Sequence, residues 1–212
     1  YGATAMALHT LRRVYGPGKV DTAMGVWTRK FRFQHPKPED FFTVLREQVG
    51  PECELAARIM TTTSFSYDVY VESLSSKVDK GPSGYFDGAS GRVKKDAKDT
   101  GSWLNTAWLG RRGLLDVPVD VELRYADGTR ARRTIRFGLP ANAFSAPRPE
   151  EADVTSIALG APVAAEAPPA LAATATTSNG NWFRIDADGP SQLVAVVVDP
   201  DFKLLVDRSR LD

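Results

Sequence analysis

The sequence predicts an α+β chain of more than one domain: a helical first part, then an antiparallel, immunoglobulin-like β-sandwich. Three observations carry this. Apolar residues recur at three- and four-residue steps through roughly the first sixty positions. After Thr61-Thr62-Thr63 the pattern changes to alternation. The middle of the chain holds a strong hairpin signal, two alternating runs joined at Asp127-Gly128. These features divide the chain into residues 1–64 and 65–212.

In the first part, Ala3, Ala7, Leu8, Leu11, Val14 and Tyr15 form the apolar stripe of a first helix, stopped at Gly16-Pro17-Gly18. Tyr1 to Leu8 has helical periodicity without a capping Ser, Thr, Asp or Asn before it, so the chain is expected to be a piece of a longer protein. Val20, Met24, Trp27 and Phe31 mark a second helix. His35-Pro36-Lys37-Pro38 is a stiff connection, because each proline fixes its own φ and biases its predecessor away from the helical region. Pro38 suits the first position of a third helix, and Glu39 and Asp40 suit its first turn, where carboxylates meet the positive end of the helix dipole. Phe41, Phe42, Leu45 and Val49 form its buried face, Gly50 ends it, and a fourth helix covers Glu52 to Met60.

In the second part, Tyr67, Val69 and Val71 alternate with Asp68, Tyr70 and Glu72 as a half-buried strand. Residues 77–101, rich in Gly, Lys, Asp and Ser, read as a long flexible loop, after which Trp103 to Arg112 is a strand. The hairpin follows, with Ile135 and Phe137 turned inward and Arg130, Arg132 and Arg136 facing Asp120, Glu122 and Arg124 across the ladder. Residues 141–181, dominated by Ala, Pro, Thr and Ser, lack the bulky side chains that offset ordering entropy and read as a second flexible loop. Trp182 to Ile185, Leu193 to Val198 and Phe202 to Val206 close the sandwich as strands.

Composition narrows the function classes. With 42% hydrophobic and 25% charged residues the chain is globular. Its formal net charge of +1 gives no field suited to nucleic acid. No apolar run reaches the roughly 18 to 20 residues of a helical membrane span. The single cysteine, Cys53, precludes an internal disulfide framework. It is flanked by Glu52 and Glu54, which raise a thiol's pKa, and it reads as a small residue beside a helix. His9 reads as a helix-surface residue and His35 as a loop residue; no His-Glu-x-x-His or paired-cysteine spacing offers a zinc site. Nor is there a Gly-x-Ser-x-Gly elbow, or a phosphate loop among Gly81, Gly84, Gly88 and Gly91. By local chemistry the chain alone is not a complete enzyme.

The run Tyr1-Gly2-Ala3-Thr4-Ala5-Met6-Ala7-Leu8, with Leu11, Gly16, Phe31, Phe33, His35-Pro36 and Glu39-Asp40-Phe41-Phe42, resembles the zinc aminopeptidases of the membrane alanyl aminopeptidase (gluzincin) family, in the part after their zinc-binding helices. Arg112-Gly113, Pro118-Val119, Asp127-Gly128, Val198-Asp199-Pro200 and Leu205-Val206-Asp207 resemble the β-sandwich that follows in some bacterial relatives. The resemblance implies a parent that hydrolyses N-terminal peptide bonds of peptide substrates with zinc held by residues outside this chain. Tyr1 falls at the tyrosine of the family's Tyr-x-Lys-Gly motif, which implies hydrogen bonding to the oxyanion of the tetrahedral intermediate. Ala3 stands in place of the motif's lysine and Thr4 in place of its glycine. Two alternatives stay open: a degenerate peptidase that keeps the fold without the chemistry, and a noncatalytic module whose sandwich binds a protein or a glycan.

Overall fold

The computed structural model describes residues 2–62, 67–88, 91–138, 175–178 and 181–206. The chain is mixed α+β, with helices first and antiparallel strands after. Four helices, α1 (Gly2–Tyr15), α2 (Pro17–Lys30), α3 (Pro38–Gln48) and α4 (Pro51–Thr62), lie close to the limits read from periodicity. Three of them open on a proline, whose missing N–H costs nothing in the first helical turn. Gly16, at φ 97°, makes the corner between α1 and α2. At the start of α3 the Asp40 carboxylate accepts the backbone N–H of Lys37 at 2.8 Å.

Each helix buries one stripe. Ala7 and Leu11 of α1, Val20 and Ala23 of α2, Phe42, Val44 and Leu45 of α3, and Cys53, Ala56, Ala57 and Met60 of α4 join one core. Trp27 meets Phe41 edge-on at 5.7 Å, and the Arg58 guanidinium lies over Phe42 at 4.3 Å. Cys53 is therefore inside α4 and buried, not a residue beside a helix: it shares the stripe with Ala56, Ala57 and Met60, three, four and seven positions on.

The strands are β1 (Asp68–Val78), β2 (Gly84–Gly88), β3 (Gly91–Lys95), β4 (Trp103–Arg112), β5 (Val119–Tyr125), β6 (Arg130–Ile135), β7 (Ala175–Ser178), β8 (Trp182–Asp186) and β9 (Leu193–Val198). They form a four-stranded sheet in the order β1-β4-β8-β7, a three-stranded sheet in the order β6-β5-β9 and the separate pair β2-β3. All pairings are antiparallel. Ala107 and Leu109 of β4, Phe183 and Ile185 of β8, Val119, Val121 and Leu123 of β5 and Leu193 of β9 are buried in the same core as the helices.

Three readings need correction. Residues 77–101 are not one loop: β2 and β3 form a hairpin inside them, unheralded because both of its faces are wet. Phe202 to Val206 is not a strand. Asp199 (φ 47°) and Phe202 (φ 53°) turn the chain, and the Asp199 carboxylate accepts the N–H groups of Lys203 at 2.7 Å and Leu204 at 2.8 Å. The predicted loop 141–181 lies outside the described residues except at its end, where Ala175–Ser178 is a strand on β8. The boundary placed at 64 falls among residues 63–66, outside the described set.

Gly110 illustrates packing that alternation alone does not reveal. It stands opposite Tyr70 across the β1-β4 ladder, and the Tyr70 ring lies on its bare backbone. That ring is met edge-on by Trp182 at 6.2 Å and covered by Arg112 at 4.8 Å. A Cβ at Gly110 would stand under 3.0 Å from Cζ, Oη and Cε2 of Tyr70. Gly110→Ala is thus expected to destabilise by about 1–3 kcal/mol, the ring's displacement outweighing the few tenths gained by stiffening the unfolded chain. Urea unfolding measures it; a more stable variant would refute the account.

Candidate functional site

Tyr1, the residue singled out for oxyanion chemistry, lies outside the described residues. What is described is the helix that follows it and the groups that hold that helix. Ala7 and Leu11 anchor α1 in the core, while Gly2 to Met6 are exposed. The buried Thr10 hydroxyl accepts the backbone N–H of Leu205 at 3.2 Å, and the Arg13 guanidinium donates to the Phe202 carbonyl at 2.6 Å. Arg12 of α1 grips Asp21 of the neighbouring helix α2 with two nitrogens, Nε at 2.8 Å and Nη2 at 3.0 Å. The turn at 199–205, itself capped by Asp199, is thus fastened to α1 from the strand side.

At the other end of α1 several titratable groups meet between helices and strands. Tyr15 closes α1, Glu52 and Cys53 open α4, Asp116 lies in the loop after β4, and Arg136 follows β6. Arg136 donates to Glu52 at 2.6 Å, so it does not face Asp120 and Glu122 across the ladder as its place in the alternation implied. Burial pushes the Tyr15 phenol well up from its ordinary pKa, and the negative charge of neighbouring groups adds to it against the pull of Arg136. Burial also pushes the Cys53 thiol up, to about 12. Both groups keep their protons at neutral pH. A thiol so placed is a poor nucleophile and a phenol so placed is no base, so the cluster suits packing and hydrogen-bond donation rather than attack.

The other residues picked out by sequence disperse. His9 and His35 are both exposed, on α1 and on the connection before α3. Among the described residues no three His, Cys, Asp or Glu side chains stand together as metal ligands. Gly81, Gly84, Gly88 and Gly91 belong to the β2-β3 ribbon and its approach.

The arginine stripe is largely consumed by ion pairs. Glu122, opposite Arg132 in the ladder, accepts from Arg124 at 2.8 Å and Arg132 at 3.0 Å, and these hydrogen bonds hold its carboxyl below the usual range. Arg132 also reaches Asp201 at 2.9 Å. Burial works against the charge on Asp120, but hydrogen bonds from Lys203 and Thr134 outweigh it and lower its pKa.

Comparison with known protein families, curated proteins and solved structures finds no match. No helix among the described residues is long and apolar enough to cross a membrane.

Two residues not singled out from the sequence organise this region. Asn105 and Arg111, both on β4, tie separate stretches of chain together with buried polar side chains. Their partners lie mostly in loops, so no local pattern announced them. The one available signal was Asn105 and Arg111 interrupting the apolar residues Trp103, Leu104, Ala107, Trp108 and Leu109 of the strand.

Proposed function

We propose that this chain is the C-terminal portion of a zinc metallopeptidase of the gluzincin aminopeptidase type, one that removes N-terminal residues from peptides. In this reading α1 to α4 complete the catalytic domain, and the strands form an immunoglobulin-like β-sandwich that braces it. The zinc, held by residues outside this chain, supplies polarisation of the scissile carbonyl and activation of water. The described residues offer no three-ligand group, so no metal step is assigned to them. Tyr1 is assigned the oxyanion. A phenol suits that place because it is neutral near pH 7 and donates one hydrogen bond as negative charge develops.

The reading rests on the resemblance, and the fastening of α1 to the strand side through Thr10 and Leu205 and through Arg13 and Phe202 is the structural feature that suits it. Positioning a transition-state donor requires the element that carries it to be held firmly, since a 1 Å misplacement costs about a hundredfold in rate. The order and spacing of the family-like motifs support the same assignment.

The test is hydrolysis of aminoacyl amides by the longer protein, with and without chelator, compared with its Tyr1→Phe variant. The expected result is chelator-sensitive activity whose kcat falls by about 10²-fold in Tyr1→Phe, with KM little changed. An unaltered kcat would remove Tyr1 from the mechanism. Absence of both hydrolysis and an upstream His-Glu-x-x-His would replace the peptidase reading with that of a binding module.

A further inference from the structure

The β2-β3 ribbon is the part of the molecule whose surface chemistry the reading above leaves unused. It continues outward from the β1-β4 pair: Asp79 N–H donates to Ser102 at 2.8 Å, Thr100 N–H to Asp79 at 2.9 Å and Lys98 N–H to Lys80 at 2.9 Å. Beyond these bonds β2 and β3 pair only with each other among the described residues. A lone two-stranded ribbon is marginal in water; a third strand is what usually makes such a sheet stable. This one nevertheless exposes Tyr85 (64%), Val93 (48%) and Phe86 (37%).

Alternation sorts its side chains. Tyr85, Asp87, Arg92 and Lys94 share one face; Phe86, Val93 and Lys95 share the other, with Phe86 directly opposite Val93. From Gly84 to Lys98, Arg92, Lys94, Lys95 and Lys98 outnumber Asp87 and Asp96 by two charges. Lys94 pairs with Asp96 at 3.2 Å, but both are well exposed, and such a pair yields readily to a better partner. The cations cluster on β3, whose outer edge also presents unpaired backbone donors and acceptors among the described residues.

We propose that the open edge of β3 takes up an acidic peptide segment in extended conformation as a third strand. Acidic residues at alternate positions would meet Arg92 and Lys94, and the apolar residues between them would lie on Val93 and Phe86. An anionic membrane or a nucleic acid would use the charges and rings but leave the edge's backbone groups unpaired, which is why a peptide is the better occupant. This inference stands apart from the peptidase reading and needs no catalysis to test.

The experiment is fluorescence anisotropy of the full chain with a fluorescein-labelled peptide of alternating Glu and Val. Saturable binding that weakens as salt rises is expected. Binding should fall at least about tenfold in the double variant Arg92→Glu, Lys94→Glu, and as much for a peptide N-methylated at alternate residues, which keeps its charge but loses edge pairing. Because the substituted side chains are exposed, an unchanged circular dichroism spectrum is the check on folding. Equal binding of the N-methylated peptide, or indifference to charge reversal, would overturn the proposal. So would tighter binding to phosphatidylserine vesicles or to a single-stranded oligonucleotide.

Discussion

Replacement of Asn105 by alanine is expected to cost the fold about 3–5 kcal/mol, because one buried amide satisfies four groups from two separate stretches of chain. Its Nδ2 donates to the carbonyls of Ala187 at 2.9 Å and Ser191 at 3.0 Å. Its Oδ1 accepts the N–H of Leu193 at 3.0 Å and the hydroxyl of Ser76. The residue's own backbone is used as fully, with N–H to Asp188 at 2.9 Å and carbonyl to Ala187 N–H at 2.9 Å. Asn105 thus pins the stretch by which the chain leaves β8 in one sheet and enters β9 in the other. Alanine would leave the Leu193 N–H and the Ala187 and Ser191 carbonyls, all on buried residues, without this partner, at about 1–3 kcal/mol for each that finds no substitute, while the half-buried Ser76 hydroxyl can turn elsewhere. Urea denaturation of Asn105→Ala measures the loss; a loss below about 1 kcal/mol would mean that the crossing is held by its apolar neighbours instead.

Arg111→Met is expected to lower stability by a similar amount, about 3–5 kcal/mol, although it keeps most of the side-chain volume. The Arg111 side chain is 0% exposed. Nη2 donates to the Gly138 carbonyl at 2.8 Å, Nη1 to the Leu115 carbonyl at 3.2 Å and to Asp116 at 3.4 Å, and the guanidinium lies 5.3 Å from the Phe137 ring centroid. Burial lowers its pKa, with Asp116 pulling the other way. Removing the cation takes the guanidinium from the half-buried Asp116 and its donors from two carbonyls. Arg111→Lys should recover less than half of the loss, since an ammonium cannot reproduce the planar fork that reaches both Leu115 and Gly138. For a chain of this length, loss of about 4 kcal/mol corresponds to a fall of about 8–16 °C in Tm. Full recovery by lysine would show that only charge is required.

These two residues mark the limit of what the sequence made legible. The helix start at Pro38 and the Asp127-Gly128 turn were readable because their causes are local, a fixed φ with a missing donor and a glycine at φ 85°, whereas Pro17, read as the stop of the first helix, opens the second. The burial of Cys53 was missed although its cause is equally local: its spacing to Ala56, Ala57 and Met60 outweighs its acidic neighbours. The β2-β3 ribbon was not readable, because a strand wet on both faces has no apolar alternation. Phe202, Leu204 and Val206 alternate as a strand would, but only Leu204 among them is fully buried, and Asp199 bends the segment through side-chain bonds. The roles of Asn105 and Arg111 depend on partners as far as 88 residues away. Tyr1, the one residue assigned a chemical role, rests on resemblance.

The bonds from Leu205 to Thr10 and from Phe202 to Arg13 span 195 and 189 residues. During synthesis at about 5–20 residues per second, α1 therefore waits on the order of 10–40 s before the turn that secures it has been made. Whatever α1 forms before then from local contacts, Thr10 and Arg13 lack these partners, so the docking of α1 on this turn belongs to the last stage of synthesis.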